Sequence, residues 1–186
     1  MQELKKERQT LAVLVDNEAG VLSQVSRMFS RKGYNIESLA VGTTDNPAVS
    51  RITIEVIADE DQINLLCNQL NKMFPVHSVK KLSPKFSIRR ELVLIKVSAK
   101  DSTIRNEIIQ VANIFRASVI DVSVESLTLA VIGSEEKVYA IQDLLAQHGI
   151  MELVRTGIVA LERGSFTIDE ATKLKNEYDY AKASLW

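Results

Sequence analysis

Apolar and polar residues alternate through Arg51-Ile52-Thr53-Ile54-Glu55-Val56, a period of two that predicts a half-buried antiparallel strand. Elsewhere the spacing turns helical: Val21, Leu22, Val25, Met28 and Phe29 share one side of a helix, as do Ile63, Leu66, Leu70 and Phe74. A strand-like run from Leu11 to Val15 opens this pattern, and another from Val76 to Leu82 closes it. The whole order then recurs about 80 residues later. A run from Leu92 to Val97 precedes a helical stripe at Ile104, Ile108, Val111, Ala112 and Phe115. Strands near Val119 to Val124 and Leu127 to Ile132 follow, then a helix at Val138, Ile141 and Leu145 and a closing strand from Leu153 to Leu161.

The pattern predicts an α+β chain of two ferredoxin-like βαββαβ domains in tandem, each an antiparallel sheet with its helices on one face. Leu82-Ser83-Pro84-Lys85-Phe86-Ser87 is polar and holds a proline that a central strand would exclude, so the boundary belongs there. The domains are thus 1–83 and 84–163, with a tail over 164–186. In the tail Thr167 and Glu170 have capping-box spacing, and 169–183 has no Gly or Pro, which predicts a helix.

Composition narrows the chemistry. The 186 residues are 46% hydrophobic, enough to build two modest cores. Charge is balanced everywhere: ten cations face ten anions through Ser83, nine face ten over 84–162, and four face four beyond. Nucleic acid and anionic membrane are therefore not expected partners. No apolar stretch suggests a signal peptide or a membrane span, and the single cysteine, Cys67, makes no internal disulfide, so a cytoplasmic protein is expected.

Catalytic constellations are missing from the pattern. His77 and His148 fall in different domains with no Cys or carboxylate at ligand spacing, so neither a metal site nor a catalytic residue is expected. Cys67 lies near the stripe of Ile63, Leu70 and Phe74 and reads as a small core residue. Gly20, Gly33 and Gly42 are too far apart to form one phosphate cradle.

The loop Asp16-Asn17-Glu18-Ala19-Gly20-Val21-Leu22 joins the first strand to the first helix. Its first helical N–H groups, at Val21, Leu22 and Ser23, lack intrahelical acceptors and carry the positive end of the helix dipole. A carboxylate suits such a place, Gly20 leaves room for close approach, and the Asn17 amide both donates and accepts. Taken alone, this loop reads first as an ordinary turn and helix cap.

Together with Gly33-Tyr34-Asn35-Ile36-Glu37-Ser38-Leu39 and Ser50-Arg51-Ile52-Thr53-Ile54, however, the loop closely resembles the ACT domain of the acetohydroxyacid (acetolactate) synthase small regulatory subunit. The resemblance extends through Arg90-Glu91-Leu92-Val93-Leu94-Ile95-Lys96-Val97, Ile114-Phe115-Arg116 and Ile120-Asp121-Val122 to Gly157-Ile158-Val159-Ala160-Leu161 and Arg163-Gly164. It implies a non-catalytic subunit of branched-chain amino-acid biosynthesis, which activates a separate large catalytic subunit and confers feedback inhibition by valine, with leucine or isoleucine as related effectors.

The resemblance also implies that two ACT domains pair as a homodimer with the effector between them. That carries effector binding onto Asn17, Ala19, Gly20, Val21 and Leu22 of one chain and Asn35 and Ile36 of the other. No cofactor is expected in this chain; thiamine diphosphate, Mg and FAD belong to the catalytic partner. The alternative is a free-standing ACT-type amino-acid sensor acting on a different target.

Overall fold

The structure is a computed structural model and describes residues 6–168. Thirteen elements follow one another: β1 (Glu7–Asp16), α1 (Val21–Arg31), β2 (Ile36–Thr43), β3 (Val49–Ala58), α2 (Glu60–Asn71), β4 (Val76–Leu82), β5 (Ser87–Ser98), α3 (Ser102–Ile114), β6 (Ser118–Val122), β7 (Ser126–Gly133), α4 (Glu135–Ala146), β8 (Ile150–Arg155) and β9 (Val159–Glu162). Two βαββαβ units result, as the repeat predicts. The first sheet runs β2-β3-β1-β4 and the second β6-β7-β5-β8, with β9 paired to β5. All the pairings between consecutive neighbours in these two orders are antiparallel.

Alternation decides which face each strand buries. In the first unit Leu11, Val13 and Val15 of β1 and Ile52, Ile54 and Val56 of β3 meet Val25 and Phe29 of α1 and Ile63, Leu66 and Leu70 of α2. The register sets Leu11 opposite Ile54 and Val13 opposite Ile52, so these side chains form adjacent rows of one apolar face. The second unit repeats the scheme with Val93, Ile95 and Val97 against Leu127, Leu129 and Val131, under Ile108 and Ala112 of α3 and Val138, Ile141 and Leu145 of α4.

Three helices begin on a side-chain cap. Asp59 and Gln62 form a reciprocal capping box at α2, the Asp101 carboxylate accepts from the N–H groups of Thr103 and Ile104, and Ser134 accepts from Lys137. Helix α1 differs: its N-cap is Gly20, at φ 89°, with no side-chain cap.

Several expectations need correction. Phe74 is not on the buried stripe of α2, which stops at Asn71; the ring is fully exposed and Met73 packs against the core instead. The closing strand of the second domain is two strands, β8 and β9, because Gly157 at φ 80° turns the chain between them. Among the described residues, 89–159 form one compact unit, and 160–168 join the unit that ends at Ile88.

Polar groups fasten that returning segment to the side of the first sheet opposite its core. An Arg51 guanidinium N–H donates to the Ala160 carbonyl at 2.7 Å, Lys80 pairs with Glu162, and Lys80 Nζ also donates to the Thr167 carbonyl at 3.0 Å. Ser78 Oγ donates to the Ile168 carbonyl. The helix expected over 169–183 lies outside the described residues.

Candidate functional site: the β1–α1 loop and the β2 edge

The loop after β1 is held from two sides. The Asp16 N–H donates to the Pro75 carbonyl at 2.9 Å and the Asn17 N–H to the Ala48 carbonyl at 2.8 Å. The Asn17 side chain is also engaged, Nδ2 donating to the Pro47 carbonyl at 2.9 Å and Oδ1 accepting from Ser50 Oγ at 3.0 Å. Asn17 is thus first a tie between the loop and the β2–β3 turn. One amide hydrogen and one lone pair of the side chain remain for a ligand.

Past Asn17 the loop is exposed through Glu18, Ala19 and Gly20. A Cβ built on Gly20 would meet no atom within 4 Å, so the space beside the helix start is open. Of the three donors expected there, the Val21 N–H is turned to the Glu18 carbonyl at 3.4 Å. The N–H groups of Leu22 and Ser23 meet no backbone acceptor among the described residues. They present donors and the positive helix end to a carboxylate.

Side chains divide by burial. Val21 belongs to the core at 4% exposure, so it offers a ligand only its backbone. Leu22, placed on the same stripe by spacing, is 40% exposed and supplies the apolar surface beside the donors. Ile36 is half-buried against the first core. Asn35 is exposed, its Nδ2 donating to Glu37 Oε1 at 2.8 Å, which leaves Oδ1 as an acceptor for an ammonium group.

A single chain does not bring these two groups together. Gly20 precedes α1 and Asn35 follows it, and eleven residues of helix separate its ends by about 16 Å. β2 lies at the margin of the first sheet and carries one charge, Glu37, whereas the opposite margin, β4, carries Lys80 and Lys81. Lysines discourage strand pairing, so β2 is the open edge. Gly42 has open space around its Cβ position, which permits close approach at that edge.

A cleft of about 630 Å³ lies beside the β2–β3 turn, lined by Leu14, Thr43, Thr44, Asn46, Arg51 and His77, among others, and by none of the seven expected effector residues. Burial lowers the pKa of the Arg51 guanidinium, and Glu162 opposes the shift. Sequence spacing missed a pair here: His77 Nε2 is 2.7 Å from Asp16 Oδ1, because β4 lies beside β1. The other histidine, His148, has Nδ1 3.9 Å from Glu107. Among the described residues no group of three or more His, Cys, Asp and Glu could hold a metal ion. No described helix is long and apolar enough to cross a membrane.

The likeness to known proteins follows the same two units. Residues 11–78 match the family described as the AHAS small subunit-like ACT domain, and residues 90–164 match the small subunit of acetolactate synthase. A probable acetolactate synthase small subunit of Archaeoglobus fulgidus is 46% identical over 158 residues, 85% of this chain and 98% of that one. The acetolactate synthase small subunit of Mycolicibacterium smegmatis is 45% identical over 155 residues, 83% of this chain and 91% of that one. The crystal structure of the Thermotoga maritima small subunit superposes with a TM-score of 0.80 at 36% identity, covering 86% of this chain and 99% of the other. On sequence and fold alike, the chain belongs to the acetolactate synthase small-subunit family and carries its ACT domain at the N-terminal end.

Proposed function

We propose that this chain is the regulatory subunit of an acetolactate synthase in branched-chain amino-acid biosynthesis, acting in the cytoplasm. It raises the activity of a large catalytic subunit and makes that activity sensitive to valine. No chemistry takes place on this chain; thiamine diphosphate, Mg and FAD act in the catalytic partner. Effector binding and pairing reside in residues 1–83, and residues 84–163 form the second ferredoxin-like domain of the regulatory subunit.

One observation carries the effector site: a helix start with open space at Gly20 and free donors at Leu22 and Ser23, joined through Asn17 to the end of an open sheet edge. In a β2-paired homodimer the valine carboxylate meets the N–H groups of Leu22 and Ser23 on one chain. The ammonium meets Asn35 Oδ1 or a neighbouring carbonyl on the other, and the branched side chain rests between Leu22 and Ile36. Ala19 and Gly20 admit the ligand, and Val21 contributes its main chain. Because the site spans two chains, valine stabilises one arrangement of the pair, which the catalytic subunit registers as a less active state. The coupling this requires is modest, about 1–3 kcal/mol, and by reciprocity the catalytic subunit alters valine affinity to the same extent.

Calorimetric titration of the chain with valine, leucine and isoleucine, alone and with the catalytic subunit, tests the reading. Saturable valine binding, together with activation and valine inhibition on reconstitution, is expected. Binding without any effect on a thiamine-dependent partner would point instead to a free-standing sensor.

A further inference from the structure

Helices α1 and α2 leave a groove of about 580 Å³ between their outer faces, lined by Gln24, Arg27, Met28, Arg31, Lys32, Gln69, Lys72 and Met73. Four of these are cations. The first 83 residues are neutral in total, so the groove concentrates positive charge that the composition conceals. Helix α1 contains no acidic residue, and Arg27 and Arg31, one turn apart, repel each other. Among the described residues, none of Arg27, Arg31, Lys32 and Lys72 has an ion-pair partner, whereas Lys80, Lys81 and Lys96 are each paired with a glutamate.

The floor of the groove is apolar rather than merely cationic. Met28 and Met73 are half-buried there, and methionine adapts its shape to varied partners. The next residue after Met73 is Phe74, fully exposed in a chain with only 5% aromatic residues. A bare polyphosphate would use the cations and leave the methionines and the phenyl ring unused. A polypeptide bearing carboxylates and one or two apolar side chains uses all of them.

We infer that this groove, together with the exposed Phe74 that follows Met73 in the chain, docks an acidic segment of the catalytic subunit, its carboxylates meeting Arg27, Arg31, Lys32 and Lys72 and its apolar side chains covering Met28, Met73 and Phe74. The inference rests on the regulatory-subunit reading and identifies the surface through which that subunit is held. It lies on the helical side of the first unit, apart from the loop and the β2 edge assigned to valine. Electrostatic attraction steers the encounter and makes it sensitive to salt.

The test is a titration of the catalytic subunit with the full chain, read by sedimentation and by activity at several salt concentrations. The double charge reversal Arg31→Glu/Lys72→Glu is expected to weaken association about tenfold and to flatten its salt dependence. Arg31→Gln/Lys72→Gln gives a smaller loss in the same direction and guards against misfolding of the reversal. Phe74→Ala weakens association severalfold with the salt dependence unchanged. Calorimetric valine binding to the chain stays the same in all three.

Unaltered affinity and salt dependence in the charge variants, while the natural chain associates normally, overturns the inference and leaves the regulatory reading intact. It is also overturned if the variants change only the self-association of the chain, or only its binding of inorganic tripolyphosphate. A natural chain that does not associate with the catalytic subunit at all overturns the regulatory reading and this inference with it.

Discussion

Ser50 Oγ donates to Asn17 Oδ1 at 3.0 Å, joining β3 to the β1–α1 loop across 33 positions of sequence. The same Asn17 amide donates to the Pro47 carbonyl, so one side chain holds the β1–α1 loop against the β2–β3 turn at the end of the sheet edge. Loop placement and edge geometry are therefore coupled through a single residue.

Replacing Asn17 by alanine removes both side-chain bonds. The loss expected is about 1–2 kcal/mol of stability, accompanied by weaker valine binding as the loop loosens. Asn17→Asp keeps the acceptor for Ser50 and loses the donor to Pro47, so it should fall between the two. Urea denaturation and valine calorimetry on both variants check this; equal valine affinity in Asn17→Ala and the natural chain would separate the loop from the site.

Gly20 combines a left-handed backbone with open space. Gly20→Ala should cost about 1–2 kcal/mol from backbone strain alone. Gly20→Asp is better tolerated there, because aspartate visits this conformation more readily and also serves as a helix cap. Its carboxylate nevertheless competes with that of valine. The expected outcome is a folded chain that still activates the catalytic subunit and has lost valine inhibition, measured by melting and by reconstituted activity.

Phe29 and Phe74 fall on equivalent helical stripes by spacing, yet one is wholly buried and the other wholly exposed. Phe29→Ala should cost about 3–5 kcal/mol, the lost transfer energy plus the cavity left behind. Phe74→Ala should stay within about 0.5 kcal/mol of the natural chain. Chemical denaturation of the two variants distinguishes core from surface directly.

Lys80 and Glu162 form a largely buried pair that helps hold the returning segment to the first unit. Lys80→Ala leaves Glu162 buried without that cation and should cost about 3 kcal/mol. Adding Glu162→Ala should recover part of the loss, since the buried carboxylate that lost its lysine is removed as well. A double-mutant cycle measured by denaturation gives the coupling, and strict additivity would show that the pair does not hold the segment.

Burial pushes the Cys67 thiol up to about 11, against a usual value near 9. The unfolded chain then ionises first, binding fewer protons than the folded one between those values. Stability should fall as pH rises from about 9 to 11, and Cys67→Ala should show a flatter profile over that window. In the folded chain the thiol should react slowly with iodoacetamide at pH 8, because little thiolate is present.

Hydrophobic periodicity is a local property, and local information was sufficient for much of this protein. The alternation through Arg51 to Val56 and the helical spacing of Val25 and Phe29 each specify which face is buried, because a side chain's direction follows from backbone geometry within a few residues. Repetition of the order then implied two βαββαβ units. The motifs around Gly20 and Asn35 pointed to the small-subunit family that the relatives show.

Other features depend on residues far apart in the chain, and only the folded molecule decided them. Spacing could not show that Asn17 reaches Pro47, that β4 brings His77 to Asp16, or that residues 160–168 return to cover polar groups of the first sheet. Nor could it show that α2 stops before Phe74 and leaves that ring in solvent. The four cations of the α1–α2 groove are scattered from Arg27 to Lys72 within a neutral stretch of sequence. Packing two helices side by side on one sheet face makes them neighbours, because charge density is set by distance in space whereas composition counts only along the chain.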